Sequence, residues 1–380
     1  FFGNLKEAEV AQTYVDNYLS THPDVEIEFE TISQGDLDTK MVADHIANNA
    51  PDVLRIAHTQ VKPWASKGIL LDVKPYIEKD NLDFLPNAVD VFTYNNGIYA
   101  FPKTLACRSL LYNKDMFDAA GIAYPTDDWS WQDLKEAAKK LTIVENGRTK
   151  QWGFLLAPQV PGMFGMFLEQ AGGQMFDDNG KAIFNSPEGV KVLEYWNDLV
   201  FESKCSPSPK VGADMSYEQG FKLGQIAMII TGPWNRPTLA LDFPDLNYGV
   251  AEAPHDVMKS NNLISDGIGI WSGTKNKELA VDFAEYVASN EAQMLWWDTL
   301  QSHFPATESG INEILADGLE HDPLAFPFIK GLEYSRSNVW NIKFLEYQPI
   351  LVSELQAVLD EEIHKDPLTA LNEAVAKINK

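Results

Sequence analysis

Apolar residues recur along the chain with two periods, and the switches between them mark out the elements. Ala11, Tyr14, Val15, Tyr18 and Leu19 follow the spacing of one helix face. Val25, Ile27 and Phe29 then alternate with Glu26, Glu28 and Glu30, the period of a half-buried strand. A polar turn, Ser33-Gln34-Gly35-Asp36, leads to a second helix near Met41 to Asn48. Asp52 to Ile56 reads as a short buried strand, followed by a helix that stops at Gly68. Strand and helix alternating in this way predict a parallel α/β sheet, with Phe1-Phe2 as the stub of its first strand.

Further along, Asn96-Gly97, Asn146-Gly147 and Asn179-Gly180 read as hairpin turns, because Asn-Gly supplies the positive φ angles of a type I′ turn. Ser130, with Asp133 three residues on, starts a helix whose apolar face is Leu134, Ala137, Ala138 and Leu141. Ser186-Pro187 starts another, with proline at the first helical position and Val192, Trp196 and Leu199 inside. A third runs from Lys277 with Ala280, Phe283, Ala284 and Val287 on one face, and the last forty residues read as helices broken by Pro349 and Pro367. The 380 residues amount to about two domains. No repeat, low-complexity tract or Gly/Ser linker separates them, so the chain is expected to cross between domains on ordered segments.

The charge narrows the function. Thirty Lys and Arg against 55 Asp and Glu leave −25, with no compensating basic stripe. Such a field repels nucleic acid and anionic lipid. No apolar run approaches the ~18 residues of a membrane helix; Ile226 to Ile230 is among the longest. Phe1-Phe2-Gly3 lacks the basic region and cleavage site of a signal peptide, which fits a cytosolic protein or a mature or trimmed chain. Cys107 and Cys205 read as separate thiols. There is no phosphate loop, no GxSxG and no HExxH, and Gly267, Gly269 and Gly273 form only GxGxxxG. The seven histidines are scattered, and Asp177-Asp178-Asn179-Gly180 lacks the later glutamate of a calcium loop. The chain therefore shows no catalytic constellation, and no metal or cofactor is expected.

Ten tryptophans stand out. Trp131, Trp196, Trp296 and Trp297 lie at core spacing on helices. Trp234 differs, because Thr231-Gly232-Pro233-Trp234-Asn235-Arg236-Pro237 is an irregular loop directly after the buried strand Ile226 to Ile230. Rings on loops at strand ends lie where α/β sheets place ligands. Burying ~100 Å² of indole against an apolar face contributes ~2.5 kcal/mol. Packing is the competing role for Trp234, and ligand contact and packing are evenly matched for Trp340, in the loop-like stretch beginning Ser335-Arg336-Ser337-Asn338.

A series of short motifs then falls in a familiar order. It runs from Pro51-Asp52-Val53-Leu54, Trp64 and Gly68-Ile69-Leu70 through Asn96-Gly97-Ile98-Tyr99-Ala100-Phe101-Pro102 and Leu111-Tyr112-Asn113-Lys114-Asp115-Met116-Phe117 to Ala120-Gly121-Ile122. It continues with Gly220-Phe221-Lys222-Leu223-Gly224-Gln225-Ile226-Ala227-Met228, Gly232-Pro233-Trp234, Gly267-Ile268-Gly269-Ile270, Thr274-Lys275-Asn276-Lys277-Glu278 and Phe304-Pro305-Ala306. Over nearly its whole length the chain resembles the extracellular solute-binding proteins of carbohydrate ABC importers, family 1, similar to maltose-binding protein. The resemblance implies an α/β, two-lobed periplasmic-binding-protein-like (type II) fold with a ligand cleft between the lobes and three hinge crossings. The crossings are placed near Cys107 to Tyr112, Ile264 to Ile268 and Phe304 to Ile311. The lobes are then 1–108 with 268–308, and 109–267 with 309–380.

The resemblance also implies ligand contacts at Asn4, Glu7, Asp36, His58, Thr59, Arg108, Phe164, Trp234, Asp266 and Trp340, with Phe164 in the Gly-rich loop after Trp152-Gly153-Phe154. Such a set suits a sugar: rings stack on its C–H faces, while Asp, His, Asn and Arg bridge adjacent hydroxyls. Four of them also have a structural alternative, His58 in the core, Arg108 paired with an acid at a hinge, Glu7 and Asp36 as helix-end charges. Arg108 and Lys103 leave an acidic sugar open. The implied function is a non-catalytic receptor, a monomer without cofactor, that works outside the cytoplasm at the cell surface or in a periplasm. It would capture a short oligosaccharide between closing lobes and deliver it to the membrane permease. A glycoside hydrolase, with two carboxylates and aromatic subsites, is the rival. A protein-interaction scaffold is a weaker one.

Overall fold

The computed structural model of the chain describes residues 5–158, 160–213, 219–316, 322–337 and 343–380. It divides into two units, each closed by segments distant in sequence. The first is Phe1–Ala106, Ile264–Gly318 and Trp340–Leu345, and the second is Cys107–Leu263, Leu319–Val339 and Glu346–Lys380. The principal strands are β1 (Val53–Ala57), β2 (Phe101–Ala106), β3 (Ser109–Asn113), β4 (Met228–Thr231), β5 (Tyr248–Glu252), β6 (Ile264–Ile270) and β7 (Phe304–Pro305).

In the first unit the sheet order is β1-β6-β2-β7, and every neighbouring pair is antiparallel. The strand–helix rhythm predicts parallel strands, and β1 and β2 do run the same way. The returning strand β6 is inserted between them and runs opposite to both, a partner that local periodicity does not reveal. Helix α1 (Leu5–Thr21) buries Val10, Ala11, Tyr14, Val15 and Tyr18, the face its spacing predicts. Helix α2 (Gln34–Ile46) begins earlier than its apolar residues indicate, because the Ser33 hydroxyl accepts from the Asp36 amide and caps it. The residues read as a polar turn are thus the cap and first turn of a helix.

The strand expected over 25–29 forms no ladder among the described residues. Its alternation survives, with Val25, Ile27 and Phe29 half-buried and Glu26, Glu28 and Glu30 exposed. A cavity of about 720 Å³ is lined by both this segment and β1. Alternation reports which side chains face inward, not whether the backbone has a neighbour within hydrogen-bonding distance.

In the second unit β3 is central, antiparallel to β4 on one side and β5 on the other, and all five of its residues are buried. The helix Trp131–Leu141 carries the predicted capping box. The Ser130 hydroxyl accepts from the Asp133 amide at 3.2 Å, and the Asp133 carboxylate accepts from the Ser130 amide at 2.8 Å. Pro187 opens the helix Pro187–Asn197 with Ser186 as its cap. Trp131, Trp196, Trp296 and Trp297 are all buried, as their spacing indicates. Cys107 and Cys205 are free and buried, and burial pushes both thiols up to about 12.

Turn chemistry differs in detail from the Asn-Gly reading. Thr93–Tyr94 pairs with Gly97–Ile98, so Asn95 and Asn96, at φ 45° and 65°, form the loop one residue earlier than expected. Asn146-Gly147 is the predicted two-residue turn, with both φ angles positive. Around Asn179-Gly180 only the glycine has positive φ, and Asp177 accepts from the amides of Asn179 and Lys181. Pro349 does not break its helix. Phe344–Val358 runs through it, with Leu351, Leu355 and Val358 fully buried to compensate for the one backbone bond lost. Among the described residues no helix is long and apolar enough to cross a membrane.

The Ser130 cap supports a testable outcome. Ser130→Ala removes one acceptor at the helix start and is expected to destabilise the protein by about 1 kcal/mol, read as a lower urea midpoint with an unchanged slope.

Candidate functional site

The first unit buries a cluster of charges around Arg55, which lies in the middle of β1 and is 5% exposed. Across the sheet Ala57 is opposite Asp266 of β6, so Arg55, two residues away, shares a face with Asp266. The guanidinium donates to the Asp266 carboxylate at 2.5 Å and to Glu7 of α1 at 3.4 Å. Its carbon lies 5.0 Å above the centre of the buried Trp296 ring. Burial disfavours the charge on Arg55, and the two carboxylates outweigh it. Burial likewise works against ionised Asp266, but Arg55, His303 and His58 prevail and hold its carboxyl below the usual carboxylate range.

Lys103 and His303 complete the cluster. The register between β6 and β2 slips so that Asp266 faces Thr104 and Gly267 faces Pro102, leaving Lys103 as the extra residue of a bulge. The bulge directs its ammonium onto the Trp296 ring, 3.3 Å from the centroid, and burial and Arg55 lower its pKa well below the ordinary range. Burial also lowers His303, while Asp266 opposes that shift. After β1 the chain turns straight into helix α3 (His58–Ser66), and the Ala57 amide donates to Gln60 Oε1. His58 Nδ1 lies 3.0 Å from the Ser265 carbonyl oxygen, which ties this helix start to β6 beside Asp266. His58 and Thr59 are half-buried.

The second unit presents an aromatic–cation pair. After β4 the chain makes the short helical turn Pro233–Asn235, where the Asn235 amide side chain donates to Thr231 Oγ1 at 2.9 Å. Trp234 is half-buried, and its ring folds back over Gly232 so closely that a methyl there would lie 1.9 Å from Cζ3. The Arg108 guanidinium, 8% exposed, lies 5.2 Å from the centre of this ring. Asn261 fixes the Arg108 backbone, accepting from its amide at 3.2 Å and donating to its carbonyl at 2.6 Å. Trp234 is thus held by its own turn and by Arg108 while staying only half-buried. Among the described residues no group of three His, Cys, Asp or Glu side chains could hold a metal.

The family model for bacterial extracellular solute-binding proteins matches residues 3–294. The chain belongs to this family.

This solute-binding protein is similar over its full length to an ABC substrate-binding protein from Listeria monocytogenes solved in complex with cycloalternan. That protein is 30% identical, with 100% of this chain and 96% of that one covered and a TM-score of 0.88. It is also similar to the arabinooligosaccharide-binding protein of Bacillus subtilis, 27% identical over 238 residues, or 61% of this chain and 54% of that one. The alignment thus spans about half the length of that relative. The maltotriose-binding protein of Pyrococcus abyssi is 25% identical, with 98% of this chain and 78% of that one covered. The two-lobed α/β architecture expected from the resemblance is that of these structural relatives.

The structure brings Glu7, His58, Thr59 and Asp266 into one neighbourhood of the first unit, and Arg108 and Trp234 into one of the second. Asp36 stands apart: it is exposed, and its carboxylate accepts from the Ser33 hydroxyl at 2.6 Å in the cap of α2. Phe164 is not on a loop. It lies in the helix Pro161–Gln170, fully buried and edge-on to Phe184 and Trp196, which makes it core. Asn4 and Trp340 lie outside the described residues. Arg55, which binds the first cluster together, escapes a reading based on loops. Its signal is an arginine inside the otherwise apolar run Val53-Leu54-Arg55-Ile56-Ala57.

Gly232 sets the ring's position. Gly232→Ala is expected to displace Trp234 and remove the same near-ultraviolet dichroism band that Trp234→Phe removes. An unchanged spectrum would show that the ring is not held over the glycine.

Proposed function

We propose that the chain is the non-catalytic receptor of a carbohydrate ABC importer, binding a short oligosaccharide outside the cytoplasm and presenting it to a membrane permease. The observation that carries this reading is Trp234, half-buried on a rigid turn, seated over Gly232 and backed by Arg108. A ring held in this way suits the C–H face of a sugar, which offers apolar area without charge. Glu7, Asp266, His58 and Thr59 supply acceptors and donors for hydroxyls, and Arg108 adds donors in the second unit. The sugars named for the Listeria, Bacillus and Pyrococcus relatives are all short or cyclic oligosaccharides, which supports the same class of ligand here. A surface site, tethered to the membrane or free in a periplasm, agrees with the family's extracellular character.

The state of Asp266 disfavours it as the acid of a hydrolysis. A glycosidase needs one carboxylic acid kept protonated to donate to the leaving oxygen. Buried Asp266 is held in the opposite state by Arg55.

Calorimetric titration with malto-, arabino- and related di- to tetrasaccharides tests the reading. At least one is expected to bind one-to-one with micromolar or tighter affinity, and Trp234→Ala to weaken it about fiftyfold, matching ~2.5 kcal/mol of ring burial. Unchanged affinity in Trp234→Ala would contradict the assignment of this ring.

A further inference from the structure

We propose that Arg55 is a positioning residue for ligand binding, a buried cation that holds Glu7 and Asp266 in place as sugar acceptors without itself reaching the sugar. The proposal rests on the sugar-receptor reading above and adds to it a residue in the middle of a strand.

The exposure pattern orders the three groups. The Arg55 side chain is 4% exposed, whereas those of Glu7 and Asp266 keep 12% and 11%. The guanidinium is therefore the more deeply buried group, over Trp296, and the two carboxylates keep more contact with solvent. Its planar fork reaches two acceptors on different elements, α1 and β6, which a single ammonium point charge does less well. Removing it leaves two carboxylates beside each other in a site of low polarity, where like charges disfavour joint ionisation.

The groups that face Asp266 are Arg55 of β1, Glu7 of α1, His58 of α3, Lys103 of the β2 bulge and His303 just before β7. Lys103 has no hydrogen-bond partner for its ammonium among the described residues, rests on Trp296, and loses its proton more readily through burial. His303 is likewise held toward its neutral form by burial. Arg55 is thus the cation of this cluster that stays charged at every working pH. The sign follows: Asp266 is depressed in the folded state, so its charge is complete above the ordinary carboxylate range and is lost only as the pH falls below it.

Two measurements on the full chain test the role. Carboxyl carbon NMR titration, with Asp266 assigned from Asp266→Asn, is expected to show wild-type Asp266 ionised below pH 4. In Arg55→Met its midpoint should rise by one pH unit or more. Calorimetry with the tightest binder among maltotriose, arabinotriose and their di- and tetrasaccharide homologues is expected to show wild-type affinity flat from pH 5 to 7.5. Arg55→Met should be weaker by tenfold or more at pH 7.5 and weaker still as the pH falls toward its raised Asp266 midpoint, with Arg55→Lys between the two. If Arg55→Met does not fold, Arg55→Lys decides. It should melt within a few degrees of wild type yet bind about tenfold more weakly. A bound sugar whose affinity and pH profile ignore both substitutions overturns the positioning role alone. A panel without any binder overturns the sugar reading and the role with it. An Asp266 midpoint unmoved in Arg55→Met overturns the electrostatic linkage.

Discussion

A charged group removed from water must meet an opposite charge, and in this protein that constraint falls on Arg55. A guanidinium buried on one face of a sheet is costly unless paired. Its partners lie 48 and 211 residues away in the sequence. Meeting both requires α1 to lie against β1 and the returning strand β6 to pair beside it in a definite register. A shift of one residue would turn Asp266 to the opposite face of the sheet and leave Arg55 with one partner fewer. The pairing therefore specifies which distant segment completes the first unit, as well as stabilising it.

The second unit solves a different problem by local means. A large ring must be kept partly exposed and yet be rigid. Gly232 lets the backbone come within van der Waals distance of the indole, and Pro233 starts the tight turn that carries it. Arg108 then covers part of the ring with a delocalised cation. These features are contiguous in sequence or adjacent to one strand, so the Trp234 arrangement depends little on long-range register.

That difference explains what was legible in the sequence. Trp234 stood out because Gly-Pro-Trp after an apolar run is a local signal, and the Ser130 and Ser186 caps were readable for the same reason. The family was visible from the order of many weak motifs, and with it the two-lobed fold. The charge cluster was not, since nothing near Arg55 in the chain shows that Glu7 and Asp266 will meet it. Residues 25–29 and Phe164 mark the complementary errors. Alternation predicted a strand where inward-facing side chains have no laddered backbone, and a glycine-containing segment taken for a loop is a buried helix. For residues 25–29 the pattern carried the burial but not the backbone geometry, and for Phe164 it carried neither.

The charge of −25 takes on a clearer meaning beside this architecture. Acids are in large excess at the surface, whereas Glu7 and Asp266 are each paired with Arg55, so the field that repels anionic membranes arises mainly from other groups than the charges proposed to meet the ligand. The central claim is that these carboxylates and the Trp234 ring bind a sugar and leave it unaltered. The most direct measurement is prolonged incubation of the protein with its tightest-binding oligosaccharide, followed by chromatographic recovery of all the carbohydrate. Every molecule is expected to return at its original length. Shortened products, lost when Asp266 or Glu7 is replaced by its amide, would contradict it.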